Sequence, residues 1–239
     1  MNILSIILIL ILACTPVWAR MSVTTVGGGV AAAPAGAAFS DDFNRDSGDS
    51  LGASWTEEAG DWDIASNTVL TLATASWDYC VVKYNTPTNT VNQYAKITMG
   101  PPSDVGSATA ILLRYNNATS AYYKVSLAGY YGDVTIGKCT NIASVEECTS
   151  LATDDLGTSP LTLGVTISGT STTTINVWVN PTNATPVSAT GWDSSGDTAD
   201  LSGSDSSSPI TTTKYIAIFG MQANANVSNY DNFTAGDIP

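Results

Sequence analysis

From Ala38 onward the chain runs in short stretches of alternating apolar and polar residues, broken by Gly, Asn, Asp and Ser. A period of two is the signature of strands with one buried face, and Val, Ile, Thr and Tyr dominate the runs. The pattern predicts strands over 67–73, 79–84, 93–99, 108–115, 121–127, 133–137, 161–168, 172–180, 214–220 and 227–234. No window of eleven or more residues carries helical periodicity. Many short strands at turn-separated spacing predict an all-β domain over 39–239, built as a single antiparallel sandwich or barrel. The stretch 193–208 (DSSGDTADLSGSDSSS) is acidic and of low complexity, and reads as a long loop.

Alternation also assigns faces. Leu161, Leu163, Val165 and Ile167 share one face, with Thr162, Gly164, Thr166 and Ser168 on the other. Ile175, Val177 and Val179 point inward, leaving Thr174, Asn176, Trp178 and Asn180 outward. Tyr123, Val125 and Leu127 oppose Tyr122, Lys124 and Ser126. An outward face carrying Trp178, Tyr122, Lys124 and Thr166 has the aromatic and polar character of a sugar-contacting surface. Which of these strands are neighbours is not fixed by the pattern.

The N-terminus departs from alternation. Residues 3–13 (ILSIILILILA) are apolar except for Ser5. That run is too short for a membrane-spanning helix, which takes about 20 residues, but it has the length of a secretory h-region. The reading is a signal peptide over 1–19, cleaved after Ala19. Its rival is lipidation of Cys14 after Ile11-Leu12-Ala13, the one route that ties the chain to a membrane. Residues 20–38 (RMSVTTVGGGVAAAPAGAA) are a Gly/Ala-rich linker.

Composition narrows the function. Of 239 residues only 12% are charged, about half the usual share. Eight Lys+Arg against 21 Asp+Glu give −13, which excludes phosphate-backbone binding to nucleic acid and predicts weak attraction to anionic polysaccharides. The chain has no histidine, so Ser-His-Asp and Cys-His catalysis, His-ligated zinc and histidine pH switches are all excluded. Cys139 and Cys148 flank an eight-residue polar stretch (TNIASVEE), and export favours a disulfide between them, stabilising by roughly 2–3 kcal/mol. Cys80, in Tyr79-Cys80-Val81-Val82, reads as an inert core thiol.

Three segments near the start stand out: Asp41-Asp42-Phe43-Asn44-Arg45, Leu51-Gly52-Ala53-Ser54-Trp55 and Gly60-Asp61-Trp62-Asp63-Ile64. With Leu112-Leu113-Arg114-Tyr115, Tyr122-Tyr123-Lys124-Val125 and the closing Asn229-Tyr230-Asp231-Asn232-Phe233-Thr234, the chain resembles the concanavalin A-like lectin/glucanase superfamily of the laminin G-like jelly-roll type, over roughly 39–235. The resemblance implies core positions for Trp55 and Trp62 and paired first and last strands. It also implies a structural calcium ion between Asp42 and Asp231, in competition with ordinary hydrogen bonds from those carboxylates to turn amides.

Members of that superfamily include sugar-binding modules, glycan-cleaving enzymes and adhesion domains, so the fold alone does not name a job. The glucanases carry an E-x-D-x-x-E-like strand motif; neither Glu57-Glu58 nor Glu146-Glu147 sits in one. Asp61 and Asp63 can share a strand face, which leaves them as the catalytic alternative. Alginate-lyase-like sandwiches use a Tyr, a His and an Arg, and histidine is missing. Trp77 and Trp192 lie in polar, turn-like contexts. The ligand-facing candidates are therefore Trp178, Trp192, Trp77, Tyr122, Lys124 and Arg114. The expectation is an exported, non-catalytic carbohydrate-binding or adhesion module whose partner is a polysaccharide or glycoconjugate. Its alternatives are a glycan-cleaving enzyme of the same fold and a self-assembling surface protein in which 20–38 docks as an added strand on a neighbour.

Overall fold

The alternating runs form fifteen strands, and no helix is present among the described residues. The computed structural model describes residues 38–46, 51–65, 68–72, 79–100, 108–117, 119–128, 132–142, 146–157, 161–221 and 229–239. The signal, linker and Cys14 readings, and Trp77, fall outside them. The first strands are β1 (Ala38–Asp41), β2 (Trp55–Ala59), β3 (Asp61–Ala65), β4 (Thr68–Leu72) and β5 (Tyr79–Tyr84). Next come β6 (Gln93–Met99), β7 (Ala108–Tyr115), β8 (Tyr122–Ala128), β9 (Asp133–Thr140) and β10 (Glu147–Asp155). The last are β11 (Leu161–Ser168), β12 (Thr173–Val179), β13 (Leu201–Asp205), β14 (Tyr215–Met221) and β15 (Asn229–Asp237).

They make two antiparallel sheets. The eight-stranded back sheet has the order β13-β12-β11-β6-β15-β4-β3, with β1 also paired to β15, and the seven-stranded front sheet runs β10-β9-β8-β7-β14-β5-β2. The inward-facing residues form one core between them. Tyr123, Val125 and Leu127 of β8 pack with Leu163, Val165 and Ile167 of β11 and with Ile175 and Val177 of β12. Trp55 and Trp62 are buried in the same core, as the resemblance implied. Removing such aliphatic side chains from water is worth about 1.5–3 kcal/mol each, the main stabilising term here. β1 runs antiparallel to β15, with Asp41 opposite Phe233, so the first and last strands do meet.

Five of the fifteen strands, β1, β2, β3, β10 and β13, lie outside the predicted runs. The stretch read as an acidic loop contains β13, which pairs with β12 from Leu201 opposite Val177 to Asp205 opposite Thr173. Its inward face carries Leu201, Gly203 and Asp205, and a Cβ on Gly203 would stand 3.2 Å from Leu151. Close packing forbids a large side chain there, so Leu201 is the strand's one hydrophobic signal. β10 is an exposed edge strand rich in Ser, Thr and Asp, and its polarity hid it equally well.

Candidate functional site

Strand alternation puts Tyr122, Lys124 and Ser126 of β8 on the outer face of the front sheet, and register adds the rest. Tyr122 lies opposite Cys139 and Lys124 opposite Gly137, while Cys148 lies opposite Cys139 and Ser150 opposite Gly137. Two rows therefore cross β8, β9 and β10: Tyr122–Cys139–Cys148 and Lys124–Gly137–Ser150. Where Gly137 leaves out a side chain, the sheet surface dips into a depression of about 140 Å³, lined by Lys124, Ser126, Thr135, Gly137, Cys139, Cys148 and Ser150. The disulfide joins Cys139 to Cys148 as expected and forms part of its wall.

Glu146, just before β10, holds the lining residue Lys124 in place. Its carboxylate accepts hydrogen bonds from the Lys124 ammonium at 2.6 Å and from the Tyr122 hydroxyl at 2.7 Å. The ammonium also sits 3.9 Å from the centre of the Phe219 ring. Lys124 is only 8% exposed, and burial lowers its pKa while Glu146 opposes that shift. Burial, then the Glu146 hydrogen bond and charge, push Tyr122 far above the usual phenol range, so its proton stays on at physiological pH.

A second cluster of the same composition flanks it. Lys83 pairs with Glu58, which accepts from the Tyr115 hydroxyl at 2.8 Å, and the Tyr115 and Tyr122 rings meet edge-on at 5.7 Å. Tyr115 reaches the outer face because β7 carries an extra residue opposite β14. Arg114 occupies this bulge with a φ of 48°.

That bulge turns Arg114 inward and corrects its reading as a ligand contact. The guanidinium is fully buried and donates to the Val91, Gly169 and Ile210 carbonyls and the Thr173 hydroxyl. It is a clamp between loops, with its donors spent on the fold.

The outward face proposed for Trp178, Thr166, Tyr122 and Lys124 is also corrected. Trp178 and Thr166 lie on the back sheet and Tyr122 and Lys124 on the front, so they cannot share a surface. Nor do the tryptophans face water: Trp178 is 3% and Trp192 0% exposed. The loop of residues 180–200 folds over the back sheet and packs Trp192 against Trp178, with ring centres 5.7 Å apart and the rings tilted at 53°. Lys96 donates to the Pro181 and Asn183 carbonyls, and Trp192 Nε1 to the Asn183 carbonyl, pinning the loop in place.

Asp42 and Asp231 each make a local turn hydrogen bond. Calcium takes six to eight oxygen ligands. Asp42 accepts from the Asn44 amide at 3.1 Å and Asp231 from the Asn232 amide at 2.7 Å. Neither belongs to a group of three or more His, Cys, Asp or Glu side chains among the described residues, and neighbouring Asp41 is held by Arg45 and by Trp55 Nε1. Of the catalytic alternative, Asp61 is exposed and Asp63 half-buried on β3.

The structure thus brings together Tyr122, Lys124, Cys139 and Cys148 from the sequence candidates. It adds Glu146, Gly137, Ser126, Thr135 and Ser150. Glu146 was legible in principle, because residues 146, 148 and 150 alternate onto one face of the chain leading into an edge strand.

The fold is that of the concanavalin A-like sandwiches. No family model matches the chain, and none of the curated proteins matches it. Among solved structures, carbohydrate binding module CBM66 from Bacillus subtilis superposes with a TM-score of 0.52 at 10% identity, covering 77% of this chain and 96% of that one. LamA from Z. galactanivorans in complex with laminaritriose and laminaritetraose gives 0.53 at 11%, covering 83% and 98%. The Ca2+-bound exoplasmic/lumenal domain of VIP36 gives 0.52 at 10%, covering 80% and 87%.

Proposed function

We propose that the chain is an exported, non-catalytic carbohydrate-binding module whose site is the depression on the outer face of the front sheet. The observation that carries this reading is the depression itself: a shallow, ring-sized hollow over Gly137, walled in part by the Cys139–Cys148 disulfide. Hydroxyls of Ser126, Thr135 and Ser150 and the Lys124–Glu146 pair rim it. A pyranose offers vicinal hydroxyls that both donate and accept, and a paired ammonium and carboxylate present the complementary set. Because that pair is internally neutral and the chain carries −13, the ligand is an uncharged glycan rather than a uronate or sulfated one. The solved structures of this fold titled as a carbohydrate-binding module and as a laminaritriose complex support the reading. Export is supported by the apolar run at 3–13 and by the disulfide.

A glycan-cleaving enzyme draws on one observation. Partial burial and the nearby Asp61 charge raise the pKa of Glu57, whose side chain is exposed on β2. Against it, the chain has no E-x-D-x-x-E-like strand motif and no histidine. Calorimetric titration with neutral and anionic oligosaccharides, run beside an assay for new reducing ends, separates the two readings. Binding without turnover supports the module; turnover lost in Glu57→Gln or Asp61→Asn replaces it with the enzyme.

A further inference from the structure

Cys148, which walls the depression, also borders a second hollow. β10 is the last strand of the front sheet, and its side chains alternate across it. Cys148 and Ser150 line the depression on the outer face, while Glu147 and Thr149 face the other way. There, where the edges of the two sheets come together, lies a cleft of about 340 Å³ lined by Lys138, Glu147, Cys148, Thr149, Asp205 and Ser207. With Cys148 in both linings, the hollows meet across the free edge of β10. We propose that they are successive subsites for one neutral oligosaccharide, which passes from the depression over the β10 edge into the cleft. The inference rests on the carbohydrate-binding reading and specifies its ligand as a chain of several sugars rather than a single terminal residue.

The edge itself supplies hydrogen bonds along this path. The Cα atoms of Cys139 and Cys148 stand 4.1 Å apart. Opposed residues in an antiparallel ladder stand about 4.5 Å apart where they share no hydrogen bonds and about 5.5 Å where they do, so this is a non-hydrogen-bonded pair. The N–H and C=O of Cys148 therefore point away from β9, toward a side that no strand covers among the described residues. Cys148 is exposed there. A sugar hydroxyl both donates and accepts, and can use an N–H and a C=O set side by side.

The cleft has the chemistry of a second sugar site. Lys138 donates to the Asp205 carboxylate at 2.9 Å and to the Ser208 carbonyl, which leaves its ammonium one proton for a ligand. Thr149 and Ser207 add hydroxyls, and Glu147 adds an exposed carboxylate. With one ammonium against two carboxylates the lining is net negative and turns away uronic and sulfated sugars. A peptide strand is the other ligand that an open edge invites. However, Glu147, Asp154 and Asp155 put charge along β10, and its register shifts between Ser150 and Ala152. Both features discourage strand addition, and neither obstructs a sugar chain.

The test is calorimetric titration of the full chain with laminari-, cello- and malto-oligosaccharides, from disaccharide to hexasaccharide. In the series that binds, parent affinity rises roughly tenfold or more from the shortest to the longest, because the second subsite is filled intramolecularly. Thr149→Trp fills the cleft from an exposed position, and its circular dichroism matches the parent. It removes the gain with length while leaving disaccharide affinity within about twofold. Disaccharide binding without a gain in length, or a gain that Thr149→Trp retains, overturns the two-subsite arrangement and leaves the depression standing as a carbohydrate site. Absence of binding in every neutral series overturns both. Dimers broken by Thr149→Trp but not by hexasaccharide would assign the β10 edge to a second copy of the chain, and overturn the proposal.

Discussion

Tyr123 of the front sheet donates its hydroxyl to the carboxylate of Asp205 in the back sheet at 2.9 Å, a hydrogen bond that crosses the sandwich at its open edge. Lys138 of β9 reaches the same carboxylate at 2.9 Å, and the Tyr123 oxygen accepts the Ile210 amide at 3.1 Å. Tyr123→Phe leaves a buried acceptor and a half-buried amide short of a partner. It should cost about 1–3 kcal/mol, read as a lower urea midpoint at unchanged slope.

Acid should weaken the same corner. Burial opposes ionisation of Asp205, but hydrogen bonds from Lys138, Tyr123 and Ser207 outweigh it and hold the carboxyl well below the ordinary range. A group whose folded pKa is depressed stabilises the fold above its unfolded pKa, about 3.9 for Asp. That stability is lost as pH falls through the folded value. Thermal unfolding from pH 7 to pH 2 should show Asp205→Asn less stable than the parent near neutrality, with the two curves converging below about pH 4. A constant gap across the range would contradict the assignment.

The back-sheet tryptophans should prove structural. A Cβ on Gly164 would stand 2.9 Å from the Trp192 ring and 2.8 Å from Pro181. Gly164→Ala should therefore lift the 180–200 loop and cost about 1–3 kcal/mol, and Trp192→Ala about 3–5 kcal/mol. Near-ultraviolet circular dichroism should lose the signal of the Trp178–Trp192 contact in both. The milder Trp192→Phe should leave glycan affinity within twofold of the parent.

Calcium should not stabilise the fold through the terminal strands, where Asp42 accepts from the Asn44 amide and Asp231 from the Asn232 amide. Unfolding temperatures in chelator and in millimolar calcium should coincide. A rise with calcium that is lost in Asp231→Asn would restore the ion that the resemblance implied.

What the sequence disclosed follows from what period-two patterning can carry. Alternation assigned the inward faces of β8, β11 and β12 correctly, because Leu, Ile and Val mark a dry face unambiguously. It could not separate an outward residue in water from one under another segment. Trp178 pointed outward as expected and was still buried, since the loop that follows β12 folds back over it, which alternation within the strand does not show. Arg114 shows a different limit: one extra residue in β7 shifts the alternation, and nothing in LLRY announces a bulge. Glu146 joined the site only through the pairing of β9 with β10, and β10 is too polar to be read as a strand.

The most direct test of the central claim is to occlude the depression without disturbing the fold and to titrate a neutral oligosaccharide, laminaritriose among those tried. A Cβ on Gly137 makes only ordinary contacts, 3.6 Å from Cys139 Sγ and from the Thr149 carbonyl, and Ser150 is exposed. Gly137→Ala and Ser150→Trp should therefore fold as the parent does. The account predicts measurable binding to the parent, at least tenfold weaker in Gly137→Ala and lost in Ser150→Trp. Binding that survives Ser150→Trp, or no binding to any neutral glycan, would contradict it.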